Sequence, residues 1–578
     1  MSNTLDNTSA PSSPGSKNDQ KEEHSNIENL TLQASKTIIL HPGSSHLRVG
    51  RASDPRPVMI PHVIAWRHSK QKTHPRSRMK LLRSCDNLDL DELNRIDDTL
   101  REQSNANLTP WKSIAKENGK KRQETLQEGC GWTWTDTNHK PEFLIGDDAL
   151  YIDENDSYDL FWPIVNGQLN TVSKSLTALV ADLHALWAKA IETFLCIPMK
   201  DIGKYRAVLL IPDIYIHQHV KYLIDLLLNE MGFSSLVVHQ ESVCATYGCG
   251  ISTACVVDVG HQKTSISCVE DGISHNNTRL CMDIGGSDIT QVFAFLLHRN
   301  SFPYRSCNTE DRMDALLMEE LKETFCHMDL HRVIPELQEF HLRRPGQLSL
   351  MYPITLGHET IQAPMSLLYP KLLGRKDEIS CVHFSKRNPG NCEDPFDDTY
   401  LALTRTKQEE AWASKREKAA AAVNNDSIEM KQEDMEDEIS QNYRDTVENS
   451  VPAPAHIIGI DQAIVWSIEN CPASYEDELK RRMYSCILVV GGALANFSGV
   501  ENTLKARVRE CINNSPQSNM ASQVEVISKA KDQDPSMVAW KGGSVLSCLD
   551  GAQGLWITRE EWITHGLRIF RERCPFVW

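Results

Sequence analysis

Two stretches of this 578-residue chain put small residues where a backbone must turn tightly beside polar groups. One is His41-Pro42-Gly43-Ser44-Ser45, inside the run from Ile38 to Val49; the other is Asp258-Val259-Gly260-His261-Gln262, inside Cys255 to Ser267. Each reads as a strand, a glycine-containing hairpin turn and a second strand. Backbone N–H groups in such turns can converge on an anion, and glycine leaves room for a polyphosphate to come close. A single Gly-Ser hairpin is more often only a hairpin. Here there are two, about 210 residues apart, accompanied by Gly-Gly turns at Gly285-Gly286, Gly491-Gly492 and Gly542-Gly543. That combination is more specific to a polyphosphate site than either turn alone.

Other groups carry charge or ligand chemistry. Between residues 67 and 83 stand Arg67, Lys70, Lys72, Arg76, Arg78, Lys80 and Arg83 with no acid among them, and Lys116, Lys120, Lys121 and Arg122 form a second cluster. A basic run of this kind suits a solvated loop, a nuclear import signal or a contact to DNA phosphates. Glu433 to Glu438 (EDMEDE) forms an acidic counterpart, read as a solvated charge run. His327 and His331 are spaced by one helical turn, as metal ligands can be, but no third ligand accompanies them and no HExxH occurs, so ordinary helix positions are expected.

The elements that must hold the glycine turns are of α/β type. Apolar strands at Ala207 to Ile211 and Ser234 to Val238 alternate with helices from about His217 to Met231 and from about Glu241. Residues 175 to 195 place Leu, Val, Trp, Ile and Phe on one broad helical face. Ser485 to Val490 reads as a buried strand ending in glycines, and Ala539 to Gly543 as the opening of a helix from Ser544 to Leu549. Residues 1–36 are polar without apolar periodicity and read as a disordered tail. Two insertions are expected, a basic and polar one over about 67–140 and a charged one over about 400–450. The domain reading is a first half over 37–250, a second over 251–536, and a C-terminal segment, 537–578, that returns to the first.

Composition sets the outer bounds. Sixty-one Lys and Arg against 78 Asp and Glu give a formal charge of −17, so any nucleic-acid contact must be local rather than a property of the whole surface. No run approaches the roughly 18 apolar residues of a membrane-spanning helix, and the N-terminus has no secretory pattern, so no membrane partner is expected. The 17 cysteines are irregularly spaced without a CxxC pair, which favours buried thiols over a disulfide framework or zinc ribbon.

Taken with DPRPVMIPHVIA (54–65), FLIGDDA (143–149), LKETFCH (321–327), ILVVGG (487–492) and WKGGSVLSCL with LWITREEW (540–562), the pattern resembles the actin superfamily. The likeness runs from about Thr37 to Trp578 and is nearest to the nuclear actin-related subunits of INO-class chromatin remodellers. It implies the actin, hexokinase and heat-shock-chaperone type of ATPase fold, with two α/β halves around a nucleotide cleft. It also implies ATP as cofactor, with Gly43, Ser44, Ser45, Arg48, Asp258 and Gly260 on the phosphates. Gly286, Asp288, Lys322, Glu323, Gly491 and Gly492 are then expected on the nucleoside side. Magnesium would be met only through water, by Asp258. His41 and His261 stand where the family has carboxylates, Gln262 where it has glycine, and Glu241 where it has the glutamine that positions water, so fast hydrolysis is not expected. Ser287, Ala493 and Ser536 replace basic or polar groups. The implied partners are a remodelling ATPase with a long docking helix, actin, another actin-related protein, DNA and histones, in the nucleus, with roles in transcription and repair. Two other classes stay open, an active ATP-hydrolysing enzyme or sugar kinase and a polymerising cytoskeletal protein, although the insertions would obstruct filament contacts.

Overall fold

In the computed structural model, the residues described are 31–68, 88–104, 109–125, 134–153, 155–345, 347–374, 381–382, 458–471, 476–513, 518–529 and 533–576. The acidic run 433–438, the insertion over 400–450 and the basic residues Lys70, Lys72, Arg76, Arg78, Lys80 and Arg83 lie outside them.

Two sheets are built to one plan. In the first, Thr37–Pro42, His46–Arg51 and Val58–Pro61 form an antiparallel meander, and Arg206–Ile211 then Ser235–Gln240 add in parallel on the other side of Thr37–Pro42. In the second, Thr253–Val259, Thr264–Glu270 and Leu280–Met282 form the meander, and Ile487–Val490 then Val526–Ile527 add in parallel beside Thr253–Val259. The C-terminal strand Ile557–Thr558 pairs with Ser235–Gln240 and so rejoins the first sheet. The central strands TIILHP and TACVVDV are apolar because both their faces are covered.

Alternation along those strands assigns each face to a layer. Ile38 and Leu40 pack with Leu183, Trp187 and Ile191 of the helix Leu176–Phe194. Ile39, Val208 and Leu210 face the other way, as do Ala254, Val256, Leu488 and Val490 of the second sheet. All of these meet one shared cluster containing Val243 and Cys244 of the helix Glu241–Cys249 and Trp540 of the helix Val538–Cys548. These two helices are the chain's passages between the sheets, one out and one back, and they form a common middle layer.

Their contact explains a pair of glycines that sequence alone misassigns. Gly542 and Gly543 lie inside the helix Val538–Cys548 rather than in a turn that opens it. A Cβ at Gly542 would fall 1.6 Å from the Cys244 carbonyl oxygen, and one at Gly248 would fall 2.2 Å from that of Val538. Backbone thus lies directly on backbone, which only glycine permits.

The expected polar loop over 67–140 is in part folded. Helices Leu90–Ser104 and Trp111–Asn118 occur within it, and Leu88, Leu93, Ile96 and Leu100 join the core of the second sheet's outer side. Asn118 donates to the carbonyls of Asn300 (3.1 Å) and Thr355 (3.0 Å) and accepts from the Thr355 N–H (2.8 Å). The flanking strands Ile64–Arg67 and Phe143–Ile145 pair with each other, so residues that leave from one half dock on the other. No described helix is long and apolar enough to cross a membrane.

Candidate functional site

The two glycine turns close in the same way. Gly43 N–H donates to the His46 carbonyl at 2.9 Å, and Gly260 N–H donates to that of Lys263 at 2.9 Å. The second turn is backed by two further glycine segments: Gly286 N–H reaches Gly260 O at 3.0 Å and Ser287 N–H reaches His261 O at 2.7 Å. Gly491, at φ 91°, sits so close that a Cβ there would lie 2.3 Å from Val259 O. Between the turns is a cavity of about 720 Å³, of the size that holds a cofactor. Gly43, Ser44, Ser45, Arg48, Asp258, Gly260, Gly286, Lys322, Glu323, Gly491 and Gly492 all line it, from both halves of the molecule. Ala493 and Ser536 line it too.

Its floor is ionic. His41 Nε2 lies 3.2 Å from Glu241 Oε1, and Lys263 Nζ lies 2.7 Å from Glu241 Oε2. Burial alone would raise the Glu241 pKa, but Lys263 and His41 outweigh it and hold the carboxylate well below its usual range. Lys263 is correspondingly raised despite its burial. Asp258 is pushed up, by burial first and then by the Glu241 charge. Arg48 is pushed down by burial, against the pull of Asp258, Glu241 and Asp534, and its buried Nε has no hydrogen-bond partner among the described residues. A buried guanidinium nitrogen without an acceptor, on the wall of a cavity, suits an anion placed there.

A second ionic group stands across the cleft. His261 Nδ1 is 3.2 Å and Lys322 Nζ is 3.6 Å from Glu319 Oε1. Glu319 is held well below the carboxylate range, His261 and then Lys322 outweighing the burial that would raise it. Glu323, expected beside the nucleoside, is raised by burial. Asp288 does not face the cavity: its carboxylate accepts from the Gly285 N–H at 2.8 Å and caps its own helix, Gly286–Arg299.

Sequence reasoning missed Lys263 and Glu319. The signal for Lys263 was a cation three residues past Gly260 in a turn already singled out. It also missed the brace on the first turn, where the Trp187 indole donates to His62 Nε2 (3.1 Å) and His62 Nδ1 donates to Gly43 O (2.8 Å). Other expectations fall outside the site or are corrected. His327 and His331 do not share a helix, since Arg312–Phe325 ends before them, and no metal-holding group of three His, Cys, Asp or Glu occurs among the described residues. Of the second basic cluster, Lys116, Lys120 and Arg122 are exposed, whereas the Lys121 amine is taken up by Thr355 Oγ1. Arg67 is exposed at a strand end.

Comparison with known proteins agrees with this geometry. The actin family model matches residues 32–575. Actin-related protein 8 of cattle (Bos taurus) is 40% identical over 95% of this chain and 93% of its own length. That of the mosquito Aedes aegypti is 37% identical over 95% of this chain and 98% of its own length. The solved structure of human actin-related protein Arp8 in its ATP-bound state is 39% identical, superposes with a TM-score of 0.78 and is covered to 98%, against 94% of this chain. The chain belongs to the actin family, and within that family it is similar to actin-related protein 8.

Proposed function

We propose that the cleft binds ATP and turns it over little, and that the chain serves as a scaffold subunit of a nuclear chromatin-remodelling complex. The observation that carries the nucleotide reading is Arg48, a cation that lines the cavity beside the two glycine turns and whose buried Nε lacks a partner among the described residues. The fit is specific to the phosphate end: the Gly43 and Gly260 turns supply the cradle, and a Cβ at Gly43 would lie 2.8 Å from His46 O, so the turn has no room for a side chain. The ATP-bound human relative supports the same ligand.

Weak turnover rests on Glu241. A carboxylate that His41 engages at one oxygen, with the Lys263 ammonium close by, is held well below its normal pKa and is a poor proton acceptor for an attacking water. Asp258 is the one acid on the two turns, so a magnesium ion would be bound mainly by the phosphates it accompanies, with Asp258 reached through water. ATP would supply a ligand that spans both halves; the residues do the binding.

Complex membership, DNA and histone contact, and nuclear residence rest on the similarity to actin-related protein 8 and on the exposed basic residues Arg67, Lys116, Lys120 and Arg122. Reversal of those charges should weaken DNA binding and flatten its salt dependence; unchanged affinity would count against this part. The test of the nucleotide reading is calorimetric titration with ATP. Loss of the charge-assisted contacts in Arg48→Gln should weaken ATP binding by roughly 10- to 100-fold, and phosphate release by the native chain should stay near the buffer rate. Steady release that Glu241→Ala abolishes would instead favour a working ATPase.

A further inference from the structure

Lys263 is a cation on the cavity floor whose reach is fixed from outside. It stands at the exit of the second glycine turn, with a side chain only 12% exposed. Its stem is boxed in by the hairpin turn Asn166-Gly167, both residues of which have positive φ, 53° and 71°. A Cβ at Gly167 would lie 2.8 Å from Lys263 Cδ and 2.9 Å from Cε. That turn is itself tied to both glycine hairpins: Gly167 N–H donates to Ser44 Oγ at 3.0 Å, and Asn166 N–H donates to Gln262 Oε1 at 3.0 Å. The stem therefore cannot swing outward, and the ammonium is left with two destinations, Glu241 and the cavity it lines.

The depth of the cleft orders what meets it. Phe325, Arg332, Ile334 and Gln338 line the cavity beyond Lys322 and Glu323, and Ile334 is among the most exposed large apolar residues of the molecule. This is the open rim. Glu241 is 4% exposed and begins the helix that crosses between the sheets, so it marks the floor. A nucleotide entered base-outward brings its last phosphate to the floor, within the zone that Arg48 and Lys263 share with Glu241 and Asp258. Glu241 keeps a partner if Lys263 leaves it, because His41 is 3.2 Å from its other oxygen.

We propose that Lys263 recognises the terminal phosphate of a nucleoside triphosphate by exchanging Glu241 for it, and that Glu241 is its counter-ion whenever that phosphate is absent. The cleft then distinguishes triphosphate from diphosphate, and the exchange is felt by the Asn166-Gly167 turn packed on the lysine stem. This inference rests on the nucleotide reading above.

The experiment measures ATP and ADP affinities, by calorimetry, for the full chain, Lys263→Met and the doubly changed Lys263→Met/Glu241→Gln. The native chain should prefer ATP. Removing the lysine should weaken ATP by about 10- to 100-fold while ADP changes by less than about threefold, so the preference collapses. The double variant leaves no buried carboxylate short of its lysine, which separates recognition from misfolding, and it should show the same collapse. Equal losses for ATP and ADP in the double variant, or a native chain without preference, would overturn the role of Lys263 while leaving nucleotide binding intact. A native chain that binds neither would overturn both readings.

Discussion

The most informative small group in the molecule is His62. The Trp187 indole N–H can only donate, so His62 Nε2 must accept and Nδ1 must carry the proton given to Gly43 O. The ring is neutral in the folded state, and burial pushes its pKa down to about 4. His46, on the same hairpin, is pushed down to about 4 by burial and then by Arg48. The folded pKa of each is below the usual 6.5, so the unfolded chain takes up a proton first as the medium is acidified. Stability is therefore full above about pH 6.5 and falls toward pH 4, by up to about 3 kcal/mol for each group. The melting temperature should drop between pH 7 and pH 5, and His62→Gln, which cannot gain that charge, should show a shallower drop. An identical slope in the variant would mean that His62 is not the group titrating. Lys263 and Glu319 illustrate why such detail escapes a sequence: both are ordinary surface residue types, and only the fold decides that each is drawn into an ion pair at the cavity.

At the level of elements, the decisive feature is the crossing of the helices Glu241–Cys249 and Val538–Cys548. A methyl at Gly542 cannot be accommodated by a side-chain shift, because the atom it meets is the Cys244 carbonyl. Gly542→Ala should destabilise by at least the roughly 1–3 kcal/mol typical of overpacking, lowering the melting temperature by several degrees, although alanine is the better helix former. A neutral or stabilising result would show that the helices do not touch as described. The hairpins, the βαβ strands and the helix Leu176–Phe194 were legible because a turn glycine and apolar periodicity are local signals. Gly542-Gly543 was not, since composition cannot distinguish a glycine that turns the chain from one that admits a neighbouring backbone. The helix Leu90–Ser104 was overlooked beneath its charged residues, though Leu93, Ile96 and Leu100 carry helical spacing. The pairing of His327 with His331 failed for the opposite reason: the spacing was helical, but the helix stops at Phe325.

The whole molecule is two like-built sheets sharing one middle layer, with a cavity at the place where their first turns face each other. A ligand contacting both turns joins the halves and stabilises the fold by mass action, by about 2.7 kcal/mol at a hundred times its Kd. Eleven of the twelve residues expected at the nucleotide line that cavity, because the likeness to the actin family fixed their places; Asp288, the twelfth, caps its helix instead, and six of the seven basic residues singled out over 67–83 lie outside the described residues. The most direct test is the mass of the full chain, purified and measured under conditions that keep it folded. The account predicts one adenosine triphosphate carried by the native protein and none by Arg48→Gln of equal helical content. A folded native chain that carries no nucleotide, and takes up none when ATP is added, would contradict it.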